Sequence, residues 1–243
     1  MPQKSFLIDG IGNVVVQKRR NNKSLRLSIT NDGNVRVTQP YWLPYPAGIN
    51  FAKSKQAWIS SNLPTKRPPL ISGQKIGKFH TLVFERKPSI AAVTYSVSRI
   101  EVRVTLPDHL NVSEPSVQKK ANLASVEALK QESKELLTKR VAELAAANGY
   151  HYKQLRYKAL KSRWGSCSRS GIINLNLYLI QLPWELIDYV ILHELVHTVV
   201  MSHDQKFWVE LSKHVSDPKT MRRLLKPYRP VLNPIGPTKK LVA

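Results

Sequence analysis

The stretch Pro183–His203 reads PWELIDYVILHELVHTVVMSH. Pro183 suits the opening of a helix, where its missing N–H costs little. Behind it, Trp184, Ile187, Val190, Ile191, Leu195 and Val199 are apolar on most sides, so the spacing predicts a buried helix. His193 and His197 are four residues apart in it. That step is a rotation of about 400°, which puts both imidazoles on one face, about 6 Å apart along the axis. Each can reach a single ion at the bond length of about 2.0–2.1 Å that zinc favours. Glu194 is turned about 100° from His193, so it flanks such an ion instead of binding it. There a carboxylate can take a proton from a water on the metal.

Three of the seven histidines fall in this stretch, and His203 is the third candidate ligand. The spacing His193-x3-His197-x5-His203 is that of metzincins, whose turn glycine would fall at Val200. A β-branched residue resists a positive φ, so the helix is expected to end differently, around Met201-Ser202, with Asp204 capping the next helix. Glu210 on that following helix is the alternative third ligand. His214 is weighed as a transition-state donor against a plain surface histidine.

Upstream of this stretch, Gln154–Leu160 and Ile172–Asn176 read as strands separated by Arg163-Trp164-Gly165-Ser166-Cys167, a tight turn or a loop bordering a cleft. Before them, Val117, Leu123, Val126, Leu129, Leu136, Val141 and Leu144 lay one apolar face on a long helix. Ser113 is its expected cap, Pro115 lies in its first turn, and Asn148-Gly149 is its stop. The first hundred residues are β-rich. Asn13–Lys18, Leu25–Thr30 and Val35–Thr38 form a hairpin or meander with Asn31-Asp32-Gly33 as a turn, and Thr81–Arg86, Ala92–Val97 and Ile100–Leu106 are further strands. Ala47–Leu63 is helical, and Lys66-Arg67-Pro68-Pro69 breaks the chain. No internal repeat is visible. The expected fold is α+β: a β-rich N-terminal part (1–112), a metal-binding part with a long helix, a small sheet and the HExxH helix (113–229), and a poorly ordered basic, proline-containing tail (230–243).

The chain has 243 residues, 42% of them hydrophobic, with 38 Lys+Arg against 16 Asp+Glu and a net charge of +22. That is a folded, water-soluble composition with an excess of cations that draws polyanions. Basic clusters occur at Lys18-Arg19-Arg20, Lys66-Arg67, Lys158-x2-Lys161-x-Arg163 and Arg222-Arg223-x2-Lys226. No helix-turn-helix, zinc-finger or RNA-binding signature accompanies them, so any nucleic-acid binding is expected to ignore sequence. One cysteine, Cys167, excludes an internal disulfide and a thiolate-rich zinc site, and is expected to pack as a small apolar group. No apolar run reaches the roughly 18–20 residues that cross a bilayer, so no membrane partner is expected. The N-terminus, MPQKSFLIDGIGNVVVQ, breaks its apolar stretch at Asp9 and Gly10 and does not read as a signal peptide, so a cytoplasmic protein is expected.

Arg163-Trp164-Gly165-Ser166-Cys167, Gly171-Ile172-Ile173-Asn174-Leu175-Asn176, Ile187-Asp188-Tyr189-Val190, the HELVH run and His203-x3-Phe207-Trp208 follow one another in that order. In this the chain resembles the YgjP-like metallopeptidase family, related in architecture to zinc proteases of the SprT and WLM type. The Arg-rich strand Lys18–Leu27 and Lys55-x2-Trp58-Ile59 extend the resemblance, more loosely, to the N-terminal half. The resemblance implies one zinc ion held by His193, His197 and His203, with Glu194 as general base. Two departures stand beside it: the family usually has Asn before the third histidine and Ser after it, where this chain has Ser202 and Asp204.

The expected function is therefore zinc-dependent hydrolysis of peptide bonds in a peptide or protein substrate. Ile172–Asn176 is the strand on which a substrate could be added as an extra strand, or an ordinary core strand. Two other readings remain: a metal-dependent hydrolase of nucleotides or phosphate esters, and a non-catalytic nucleic-acid-binding module with a structural metal.

Overall fold

Val14 and Val16 in one run, and Val35 and Val37 in another, are buried and alternate with more exposed neighbours. A period of two with one covered face is the pattern of a half-buried strand. A computed structural model describes residues 2–30, 33–63 and 68–232. The chain divides into two units, Met1–Pro68 and Pro69–Ala243.

In the first unit, β1 (Gln3–Ile8), β2 (Gly12–Arg19), β3 (Arg26–Ile29) and β4 (Val35–Pro40) form one sheet in the order β1-β2-β4-β3. The outer pairs are antiparallel and β2–β4 is parallel, with Val14 opposite Val35 and Val16 opposite Val37. Strand β1 is an addition to the sequence reading. Gly10 and Gly12, with φ of 71° and 89°, turn the chain back into β2. The helix expected over 47–63 is two, α1 (Tyr45–Ser54) and α2 (Gln56–Asn62), divided at Lys55, whose φ of −109° and ψ of 17° leave the helical region. Ala52 and Ile59 bring them into the unit's core. The expected turn at 31–33 lies largely outside the described residues, as does the chain break at 66–67.

The second unit opens with the same topology. β5 (Lys75–Ile76), β6 (His80–Arg86), β7 (Thr94–Val97) and β8 (Glu101–Leu106) pair in the order β5-β6-β8-β7, again with a parallel central pair between antiparallel ones. The starts of β6, β7 and β8 (residues 80, 94 and 101) follow those of β2, β3 and β4 (12, 26 and 35) by 66–68 residues. This is an internal structural repeat. Sequence inspection misses it because only the apolar alternation is kept, Leu82 and Val102 standing where Val14 and Val35 stand.

The long helix follows as α3 (Pro115–Glu132), a π-helical turn (Ser133–Leu137) and α4 (Thr138–Ala147). Its N-cap is Glu114 rather than Ser113, with Pro115 in the first turn and no side-chain cap. Asn148 and left-handed Gly149 end α4 as expected. The composition shift near Ser113 does not coincide with the division of the chain at 68/69. Helix α3 packs on β7 and β8 of the second unit. Of the expected tail at 230–243, residues 233–243 lie outside the described residues.

The buried Glu132 marks the π turn. Its carboxylate accepts from the backbone N–H groups of Lys78, Phe79 and His80 and from His80 Nδ1, while His80 Nε2 reaches the Ser98 carbonyl at 2.9 Å. The Ser98 carbonyl only accepts, so His80 Nε2 is the donor in that bond. Glu132→Gln turns an amide NH₂ towards these donors. It is expected to cost about 1–3 kcal/mol in denaturant unfolding without altering the distant metal cluster described below.

A second sheet then forms from β9 (Gln154–Lys158), β10 (Gly165–Cys167) and β11 (Ile172–Asn176), in the order β10-β11-β9. Three of the five residues of Arg163–Cys167, read as turn or loop, thus form a strand. β11 is bonded antiparallel to β10 and parallel to β9, so it has no free edge on which to add a substrate. The candidate substrate strand moves accordingly to β10, the edge beside it.

After a short 3₁₀ turn, α5 (Trp184–Val196), α6 (Gln205–Ser212) and α7 (Pro218–Leu225) complete the unit. Helix α5 packs on β10, β11, α4, α6 and α7. A two-pronged ion pair from Arg140 on α4 to Asp188, at 2.7 and 2.6 Å, pins its register. The main core gathers Leu82, Leu129, Leu137, Leu175, Ile187, Leu195 and Phe207 into one cluster. No helix among the described residues is long and apolar enough to cross a membrane.

Candidate metal centre

His193 lies in the last turn of α5, which ends at Val196 with His197 as its C-cap, short of the end expected around Met201-Ser202. The chain turns there because Val200 closes on α5 through both backbone groups. Its N–H donates to Val196 O, and its carbonyl accepts from His197 Nδ1 at 2.9 Å. A carbonyl only accepts, so Nδ1 carries the hydrogen and His197 Nε2 presents a lone pair to the site. No glycine is needed at this turn.

His203 then comes back over α5. Its Nε2 is 3.0 Å from Nε2 of His193 and 3.1 Å from Nε2 of His197. Tetrahedral nitrogens about 2.0–2.1 Å from zinc stand about 3.3 Å apart, so the three are spaced as ligands of one ion. The loop bearing His203 is tied to α6. Asp204 accepts from the N–H groups of Lys206 and Phe207 through Oδ1, and from Ser202 Oγ through Oδ2 at 2.7 Å. Its carboxyl is held below the usual range, first by the Ser202 hydroxyl. Ser202 and Asp204, the two departures from the family pattern, thus build the cap that orients the loop. Beneath the cluster, buried Phe207 packs its ring 4.6–4.8 Å from all three imidazole centroids.

Burial pushes His193 down to about 3, with the neighbouring imidazoles and Arg222 adding to it. Burial also lowers His197, against the Val200 carbonyl, which raises it. Both rings are neutral at physiological pH, the form that binds metal. Because an unfolded histidine binds its proton near pH 6.5, the sign follows directly. The neutral His193 ring contributes its full share of the metal-free fold's stability above that pH, and that share is lost as the pH falls towards 3. Glu194, whose carboxyl burial pushes up to about 8, titrates with the opposite sign over this range, so the test uses a Glu194→Gln background: there, thermal melts in chelator are expected to show a lower midpoint at pH 5 than at pH 7.5. Equal midpoints would contradict this.

Glu194 is 5% exposed, and its Oε2 has no hydrogen-bond partner among the described residues. Burial pushes its carboxyl up to about 8, opposed by the charge of Arg163. A buried carboxylate oxygen left unpaired is costly, and its position beside three converging ring nitrogens suits a bound divalent cation with its water. The carboxylate fits here because residue 165 is glycine. A Cβ on Gly165 would stand 2.6–2.8 Å from Oε1, Cγ and Cδ of Glu194.

The other sequence candidates lie elsewhere. Glu210 accepts from Tyr150 Oη at 3.0 Å and Lys213 Nζ at 2.6 Å, and the same tyrosine meets His214 Nε2 at 2.8 Å. These four residues form their own network, and neither Glu210 nor His214 joins the imidazoles. Cys167 is half-buried against the core, its thiol pushed up to about 11 by burial.

A cleft of about 560 Å³ opens over His193, Glu194 and His203, bordered by Arg163, Trp164, Gly165, Tyr189, Trp208 and Arg222. Sequence reasoning took Arg222 as part of a charge run and did not include Tyr189 or Trp208 in a site. The family motifs ending in Tyr189-Val190 and Phe207-Trp208 were the available signal. Strand β10 forms one rim. Asn176 N–H bonds to Trp164 O, and Ser168 N–H to Ile172 O. The alternation of an antiparallel ladder therefore turns the main-chain groups of Gly165 and Cys167 away from β11, to the open edge.

Among solved structures, the chain is similar to the metallopeptidase zymogen abylysin of Pyrococcus abyssi, at 24% identity over 42% of this chain and 92% of that one, with a TM-score of 0.33. It is also similar to the metallopeptidase zymogen jannalysin of Methanocaldococcus jannaschii, at 28% identity over 35% of this chain and 88% of that one, with a TM-score of 0.31. No curated protein matches the chain. The profile of the YgjP-like metallopeptidase domain matches residues 23–228, from the first sheet through α7. With that match spanning most of its length, the chain belongs to the YgjP-like metallopeptidase family.

Proposed function

We propose that this metallopeptidase is zinc-dependent, with His193, His197 and His203 as the metal ligands and Glu194 as the general base. The observation that carries this reading is the convergence of the three Nε2 atoms, at 3.0–3.1 Å, beside the unpartnered Oε2 of Glu194. Three neutral nitrogens with no fourth protein donor grouped with them among the described residues are the ligand set of a catalytic zinc site rather than a structural one. Bound there, zinc would supply a Lewis acid for a scissile carbonyl and bring the pKa of water to about 7.

The remaining steps belong to side chains and backbone of this chain. Glu194 Oε2, free of other partners, accepts the proton of the attacking water and delivers it to the departing amine. Burial raises its proton affinity, which suits it to hold that proton between the two transfers. An extended substrate pairs with the open edge of β10, its backbone meeting the outward groups of Gly165 and Cys167. Strand addition at Gly165 brings the peptide alongside Glu194.

The direct test is elemental analysis of the purified chain together with cleavage of an unfolded protein substrate. One zinc per chain is expected, with cleavage lost in chelator and restored by zinc. Release of phosphate from nucleotides in place of peptide fragments would overturn the substrate class, and a chain that takes up no divalent metal would overturn the mechanism. A local prediction follows from the packing of Gly165. Gly165→Ala is expected to retain zinc but lose about 10- to 100-fold in kcat/KM, since even a displacement of about 1 Å at a reacting group costs on that order. Unchanged kcat/KM would show that Glu194 tolerates displacement.

A further inference from the structure

The cations of the N-terminal unit have almost no anionic neighbours. Residues 1–68 contain 11 Lys and Arg, but their acidic residues are only Asp9 and Asp32, and no glutamate occurs there. An ordinary solvated face intersperses both signs. Here the charge cannot be neutralised within the unit, and several of the cations rest on aromatic rings instead.

Lys18 Nζ lies 5.8 Å from the centroid of Tyr41 and 4.8 Å from that of Tyr45. Arg20 approaches Tyr41 at 5.8 Å and Lys4 approaches Tyr45 at 5.2 Å. The strand register explains the grouping. Lys4 stands opposite Val16 on the row of Phe6 and Ile8, while Lys18 continues the row of Val14 and Val16 and stands opposite Gln39, just before Tyr41 and Trp42. The rings are open to solvent, Tyr41 at 48% and Trp42 at 68% exposure.

We propose that this surface binds single-stranded nucleic acid, with phosphates on Lys4, Lys18 and Arg20 and bases stacked on Tyr41 and Trp42. Exposed rings spaced among uncompensated cations meet both needs of a flexible strand, a track for its backbone and platforms for its bases. A duplex keeps its base faces stacked inside and could use only the cations. Nothing in the cluster reads base edges, so the binding is indifferent to sequence.

The full chain is to be titrated into fluorescein-labelled oligo(dT) and oligo(U) of about 16 nucleotides, the upper end of what one small domain covers. A duplex of the same length and vesicles of anionic phospholipid are run beside them, each at several salt concentrations. Tighter binding to one or both single strands than to the duplex or the vesicles is expected, with quenching of Trp42 fluorescence. The double variant Lys18→Gln with Arg20→Gln is expected to reduce the slope of log K against log salt by about 1.4. Tyr41→Ala and Trp42→Ala are each expected to weaken binding about 5- to 100-fold. Trp42→Phe preserves a stacking ring, so it should keep most of the affinity and lose the quench. Failure to bind single strands, equal or tighter binding to duplex or vesicles, or single-strand affinity that these variants leave unchanged would each overturn the proposal.

Discussion

Glu194→Gln is expected to lower peptide hydrolysis by about 10²–10⁴-fold while leaving the zinc content at one per chain, because the change removes a proton acceptor and no metal ligand. Glutamine preserves the volume of the side chain, so the packing against Gly165 is retained and only the chemistry is lost. Charge loss alone does not damage this site. The carboxylate has no hydrogen-bond partner at Oε2 among the described residues to strand, and burial already opposes its charged form. The metal-free variant is accordingly expected to melt no lower than the metal-free parent. Parallel measurements of zinc content, melting midpoint and kcat check the three statements. Full activity with a glutamine at 194 would remove that residue from the proton transfers and leave the cleft needing another base.

His197→Ala is expected to abolish stoichiometric zinc and reduce hydrolysis to background. The loss has two sources. One of three nitrogens disappears, and with it the hydrogen bond to Val200 O that holds the turn leading to His203. A partner that orients a ligand is worth about 10–100-fold in metal affinity by itself, so removing ligand and turn contact together exceeds either alone. His203→Ala is the informative comparison. It removes the exposed ring but leaves the turn at Val200, so it should weaken zinc binding less than His197→Ala does. Isothermal titration with zinc after chelation ranks the two, and the reverse ranking would mean that the turn is held without the imidazole.

The HELVH pair was legible in the sequence because its geometry is local. Two residues four apart on a helix share a face whatever surrounds them, and the apolar neighbours from Ile187 to Leu195 already announced that the helix would be buried. The cap at Asp204 was legible for the same reason, since its acceptors and donors lie within three residues. Strand β10 was not. Three residues, Gly165–Cys167, carry no periodicity to count, and their strand character comes only from pairing with Ile173–Leu175. Of the two readings of Ile172–Asn176, pairing on both sides leaves the core strand, for the same reason. A run of apolar residues reveals that a strand is buried, but not which of its neighbours flank it.

By itself, then, the sequence of this chain determined an α+β protein with a basic surface and a helical pair of imidazoles beside a carboxylate, all of which rest on local spacing and composition. Tertiary structure alone decided the repeat of the four-stranded sheet, the division after Pro68, the edge position of β10, the seat of Phe207 under three rings and the glycine that makes room for Glu194. Each of these depends on residues far apart in the chain meeting across a packed interior, where close packing admits one arrangement and a local reading of the sequence has no term for it.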